Sequence, residues 1–277
     1  MFRSFRSSVF LVPTLALSAG LPGLNPTARA ADPWADAVVD FAPGIGGSPV
    51  YPDPAAAIGQ PTRFSGVVFG FPAAVTPFSP PFDPGEIVSI GAGGSLTIRF
   101  DEPITDDPLN PFGVDLLVFG NAFYTDLAYP SGVAGPLGAE TGLIEVSADG
   151  IDWRAIPLVN PDGAFPTLGY SDLTDPYSTT PGLVNSDFTR PVDPSFDPTG
   201  LTFVDIVAGY SGSGGGAGVD LAAASLSSIS FVRVSKPAGP PGKFEIDAFA
   251  DVSPVPASPA PALLVIAAAV RSRRRVF

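Results

Sequence analysis

The chain has 277 residues, no histidine, no cysteine, and 27 acidic against 14 basic side chains. Those absences exclude Ser-His-Asp and Cys-His catalysis, imidazole or thiolate metal sites and any disulfide framework. Remaining chemistry rests on carboxylates, hydroxyls, tyrosine, arginine or an oxygen-bound metal. Seven of the 14 basic residues (Arg3, Arg6, Arg29, Arg271, Arg273, Arg274 and Arg275) lie at the two ends, so the centre carries 7 basic against 27 acidic residues, a net of −20. Such a surface repels nucleic acid and anionic lipid and attracts divalent cations. A hydrophobic content of 45 % permits a packed core, and 34 prolines with 31 glycines suit an all-β protein with many turns.

The N-terminal stretch has two arginines, an apolar centre at 9–18 and small residues ending in Ala28-Arg29-Ala30. That pattern is a secretory signal peptide over 1–30 with an A-x-A cleavage site, so the mature chain is expected to begin at Ala31. Segment 42–61 reads as loop.

Short β-prone runs punctuated by Gly, Pro, Asp and Asn then predict strands at Gly66–Phe71, Ile87–Ile90, Ser95–Phe100, Asp115–Phe119, Leu143–Ser147, Trp153–Ile156, Phe203–Ala208, Ile229–Val234 and Phe244–Ala250. Ser95–Phe100 and Phe231–Ser235 alternate apolar and polar residues, the mark of strands with one wet face. The stretch 115–120 is almost wholly apolar and predicts a central strand covered on both faces. Asp149-Gly150 predicts a hairpin turn, since glycine there tolerates positive φ. In that hairpin Glu145 has the parity of a solvent-facing residue, and Trp153 is expected in the core. The Pro/Asp/Ser/Thr-rich connection 160–200 is too long for an idle loop, and 220–228 has room for a short helix. The glycine-rich 209–220 lacks the residues of a phosphate loop. Strands without long intervening helices predict a β-sandwich or jelly roll over 31–252, with long loops.

The last segment, 253–277, is a Pro/Ala/Ser linker, an apolar stretch at 260–270 and an arginine cluster. As a helix its eleven apolar residues would span only ~16 Å, short of a ~30 Å hydrocarbon core. Small-Pro motif, short apolar stretch and basic cluster together resemble the bacterial PEP-CTERM sorting signal. That likeness implies recognition by processing machinery at the membrane, cleavage and release to the cell surface or extracellular matrix. The motif here is Val255-Pro256-Ala257-Ser258-Pro259, without the usual Pro-Glu-Pro, and a weak tail anchor is the alternative.

Five stretches recur in order: GGSLTIRFDEPI, FGVDLLVFGNAFY, ETGLIEVSADGIDWRAIP, SGGGAGVDLAAA with SFVRVS, and FEIDAFADV. The set is similar to secreted bacterial cell-surface proteins with a discoidin-like, galactose-binding-like jelly roll. It implies a carbohydrate-binding role. Gly120 stands where related sequences carry an acidic residue.

Calcium prefers several oxygen ligands from carboxylates, Asn and irregular loops. Asp115, Asn121, Glu140, Asp220 and Asp247 sit at or beside predicted strand ends within these stretches, and their convergence would hold Ca2+. Residues 107–115 offer further oxygens. Each acid has a plain turn-forming role as its alternative. Tyr124, Tyr129, Tyr170, Tyr177 and Tyr210 are candidate stacking faces for a surface glycan or extracellular polysaccharide. The expected function is a non-catalytic, exported binding or matrix protein. The alternative is a carboxylate-dependent polysaccharide hydrolase or lyase, with Glu140 and Glu145 as the first acids to test.

Overall fold

A computed structural model describes residues 32–239 and 242–252. The signal peptide expected over 1–30 and the sorting segment expected over 253–277 lie outside the described residues. The chain divides into two units, Met1–Asp32 and Pro33–Phe277, and the fold described is that of the second.

Thirteen strands follow one another: β1 (Ala37–Ala42), β2 (Phe64–Ser65), β3 (Ala73–Ala74), β4 (Val88–Gly91), β5 (Ser95–Thr105), β6 (Leu116–Gly120), β7 (Phe123–Asp126), β8 (Ala134–Gly138), β9 (Leu143–Ser147), β10 (Arg154–Ile156), β11 (Ala217–Val219), β12 (Ser228–Ser235) and β13 (Lys243–Asp251). One α-helix, α1 (Phe203–Tyr210), interrupts them, and these are the strands and α-helix of the described residues. A five-stranded sheet in the order β1-β5-β12-β9-β10 faces a four-stranded sheet in the order β11-β6-β13-β4, and both are antiparallel throughout. The protein is an all-β sandwich.

The alternation in the sequence becomes the sandwich core. Leu96, Ile98, Val232, Val234, Ile144 and Val146 from one sheet meet Val88, Ile90, Leu116, Val118, Ile246 and Phe249 from the other, all buried. Each such side chain stabilises the fold by roughly 1.5–3 kcal/mol when taken from water. The opposite face of the five-stranded sheet is wetter. There Glu145 stands across from Arg233 and pairs with it through two hydrogen bonds of 2.8 and 2.9 Å. Trp153 is half-buried on this face with the Arg233 guanidinium 4.2 Å above its ring, not in the core as expected. It belongs to the loop just before β10, so strand parity does not govern its direction. In that loop Gly150 has φ +75°, and Asp149 accepts from the backbone N–H groups of Ile151 and Asp152.

The four-stranded sheet is covered on both faces. Leu117, Phe119, Ala248 and Ala250 turn away from the sandwich and pack under Phe188, whose ring meets Phe119 edge-on at 5.4 Å. The cover is the long connection 160–200. It is no structureless loop: Leu168, Tyr170, Leu173 and Val192 join Tyr124, Phe203, Ile206 and Tyr210 in a second core.

Two expected strands are absent. Phe203–Ala208 is helical because Thr202 caps it, its hydroxyl accepting from Asp205 N–H, and Phe203, Ile206 and Tyr210 fall on one helical stripe. Gly66–Phe71 is a turn between β2 and β3 in which Val67, Val68 and Phe71 are exposed. Gly66 needs φ +79°, which stops a strand at its first residue.

Candidate metal centre

One carboxylate oxygen from each of Asp106, Asp115 and Asp220 lies within 4.8 Å of the others. Three strand ends deliver them: Asp106 follows β5, Asp115 precedes β6 and Asp220 follows β11. Backbone bonds fix the arrangement, with Asp106 N–H on Ser227 O, Asp115 N–H on Val219 O and Val252 N–H on Asp115 O. Asp115 is fully buried, and its Oδ2 accepts from Leu221 N–H at 3.0 Å. Its Oδ1 accepts from Asp107 N–H at 3.2 Å and from Asn110 Nδ2 at 2.9 Å. Asp220 also caps the short turn of helix 221–224 by accepting from Ala222 N–H.

No cation balances these charges: the ion pairs among the described residues are Arg99–Asp101, Arg233–Glu145 and Lys243–Glu245. Two like charges ~4 Å apart repel by ~1 kcal/mol in water and ~4 kcal/mol at an effective dielectric of 20. Burial first, then Asp115 and Asp107, push the nearby Asp251 carboxyl up to about 6. Asn110 is 6 % exposed, and its Oδ1 is buried with no hydrogen-bond partner. A buried orphan oxygen of this kind costs roughly 1–3 kcal/mol. The Asn110 amide turns its nitrogen, and not this oxygen, onto Asp115.

Of the five expected ligands, Asp115 and Asp220 meet here. The other three are held elsewhere. Asn121 and Glu140 converge on Asp162, which was not among the expected residues: its Oδ1 accepts from Asn121 N–H at 3.1 Å and its Oδ2 from Glu140 N–H at 2.8 Å. Asp162 is fully buried, and burial and then its contact with the Glu140 carboxyl push it up to about 8. Asp247 occupies a bulge of β13, between Ile246 and Ala248, and its carboxyl meets Thr62. There it accepts from Thr62 N–H at 2.8 Å and from the Thr62 hydroxyl at 2.9 Å, and burial pushes it up to about 8. Asp106 was not among the expected residues, whereas Asn110 lies within the stretch 107–115 expected to offer oxygens. The stretch DDPLN at 106–110 marked a turn, but which of its oxygens face Asp115 depends on how that turn closes.

The expected stacking tyrosines fare differently. Tyr124, Tyr170 and Tyr210 are buried in the second core, so they are packing residues and not a glycan platform. The Tyr210 hydroxyl donates to Pro166 O at 3.0 Å. Tyr177 is half-buried and donates to Asp126. Tyr129 is 76 % exposed and rests edge-on against Tyr177 at 5.2 Å. Glu145, tied to Arg233, and Glu140, beside Asp162, serve two separate local structures.

No family model matches the chain, and no curated protein matches it.

Proposed function

We propose that this protein is a non-catalytic, exported surface or matrix module that binds carbohydrate, with Ca2+ held by Asp106, Asp115 and Asp220 as part of its architecture. The observation that carries the metal part of this reading is the cluster of three carboxylates brought together from three strand ends. Ca2+ there would tie the end of β5 to the starts and ends of two strands of the opposite sheet, joining the sandwich across one edge. The signal-peptide and sorting-signal resemblances supply the address, and the acidic, histidine-free composition favours cation-assisted binding over acid–base turnover.

The test has two parts. Thermal unfolding with excess CaCl2 and then with a chelator reads the metal. A ligand at about 100 times its Kd stabilises the native state by ~2.7 kcal/mol. Asp115→Asn and Asp220→Asn should abolish the difference, and equal melting temperatures with and without calcium in the unaltered protein would sink the metal assignment. A glycan array and a polysaccharide pull-down, both with calcium, read the binding. Absence of retention on both removes the carbohydrate reading.

A further inference from the structure

Beside the candidate metal centre, the loop 107–115, the covering lobe and the C-terminal end of α1 line a cleft of about 260 Å³. Its walls include Pro111, Phe112, Arg190, Pro191, Asp193 and Tyr210. Pockets for drug-sized ligands run to roughly 300–1,000 Å³, so this one is sized for a single ring.

Three features of the walls remain unused by the fold. Phe112 is 55 % exposed and adopts φ 60°, ψ 12°, a left-handed conformation that aromatic residues rarely take. Gly113 follows at φ +73°, and a Cβ there would lie 3.6 Å from Asp220 Oδ2, which places the turn directly against the carboxylate cluster. Arg190 is pinned by its backbone, its carbonyl accepting from the Ser213 hydroxyl at 2.6 Å. Its guanidinium makes no hydrogen bond or ion pair among the described residues. The domain's other half-buried arginines, Arg63 and Arg233, are fully engaged, Arg63 with the carbonyls of Gly169 and Ser186. Asp193 spends one oxygen on Ser195, accepting from its N–H at 2.8 Å and its hydroxyl at 2.7 Å, and leaves the other without a partner among the described residues. Arg190 and Asp193 share the cleft without forming an ion pair.

We propose that this cleft is a subsite for one neutral pyranose ring of a polysaccharide, with Phe112 against the ring's apolar face and Arg190 and Asp193 on its hydroxyls. An aromatic face takes the C–H surface of a sugar. A fork of N–H donors and a separate carboxylate acceptor match neighbouring hydroxyls, each of which both donates and accepts. The centre of the chain, with 7 basic against 27 acidic residues, carries a net charge of −20, and such a surface disfavours an anionic sugar. The inference rests on the carbohydrate-binding reading and adds to it the place and the class of sugar.

Affinity electrophoresis of the full chain, with calcium, through gels containing dextran, galactomannan, xyloglucan or alginate tests it. Retention is expected on at least one neutral gel and not on alginate. Phe112→Ala and Arg190→Met should each weaken that retention at least tenfold, whereas Tyr129→Ala should leave it unchanged. Far-UV circular dichroism and melting temperature, both unchanged in the variants, separate lost contacts from lost folding. Three results overturn the subsite while leaving carbohydrate binding intact: unaltered retention of both variants, stronger retention on alginate, or loss on Tyr129→Ala instead. No retention on any gel overturns the subsite and the binding reading together.

Discussion

Asp247 makes the pH dependence of this fold calculable. Its carboxyl is fully buried, held by Thr62 alone among the described residues, and raised to about 8 by burial. An unfolded aspartate titrates near 3.9. The native state therefore keeps a proton at pH values where the unfolded chain has lost it. The site's contribution is fully present below about pH 4 and is lost as pH rises towards 8. The slope for one such group is ~1.4 kcal/mol per pH unit, or ~2.7 kcal/mol between pH 5 and pH 7. Asp247→Asn mimics the protonated acid. The amide oxygen still accepts from Thr62 N–H, and the amide N–H can donate to a reoriented Thr62 hydroxyl. Equilibrium urea unfolding of both proteins at pH 5, 6, 7 and 8 is the assay. The variant should gain on the unaltered protein by ~2.7 kcal/mol between pH 5 and 7, a change of roughly 5–10 °C in the gap between their melting temperatures for a domain of this size. Parallel pH profiles for the two proteins would refute the buried neutral carboxyl.

Other outcomes follow from the same structure. Asp162 and Asp251 are raised like Asp247, while Asp126, Asp149 and Asp172 are lowered, their carboxylates accepting backbone N–H groups. The first set loses its contribution above about pH 4 and the second loses it below, so a melting-temperature profile should peak near pH 4–5. Gly120→Ala should destabilise by ~1–3 kcal/mol in chemical denaturation, since its Cβ would sit 2.4 Å from Asp162 Oδ1 and 2.9 Å from Glu245 O. Arg233→Ala removes a two-point ion pair with Glu145 and the cation over Trp153, and should cost ~1–2 kcal/mol, much of it insensitive to salt because the Trp153 contact persists when exposed charges are screened. Glu145→Gln should cost less, because it leaves Arg233 on Trp153.

The structure also explains where a site can form in such an acidic chain. Asp149 and Asp172 serve only their own loops, accepting from backbone N–H groups two to twelve residues away. Asp115 and Asp220 accept backbone N–H groups too, but together with Asp106 they come from three separate strand ends and bring one oxygen each to within 4.8 Å of the others. Gly120 shows the reverse case, a position where a side chain is excluded because Asp162 fills the space. That fit gives a local reason for glycine at this place, independent of any ligand.

By itself the sequence determined the sandwich and its inward faces. Period-two alternation in Ser95–Phe100, Leu143–Ser147 and Phe231–Ser235 leaves one way to bury the apolar side chains, and the apolar run at 115–119 demands cover on both faces. Composition likewise confined the chemistry to oxygen ligands. Only the tertiary structure decided which acids meet. Asp115 and Asp220 are 105 positions apart and become neighbours because β11 pairs with β6, while Asp247 is turned away by a one-residue bulge that no local pattern announces. The same holds for the aromatics. Tyr124, Tyr170 and Tyr210 look like loop residues until a second core forms around them. Strand periodicity is a local property of the chain, whereas burial in a loop depends on what folds over it.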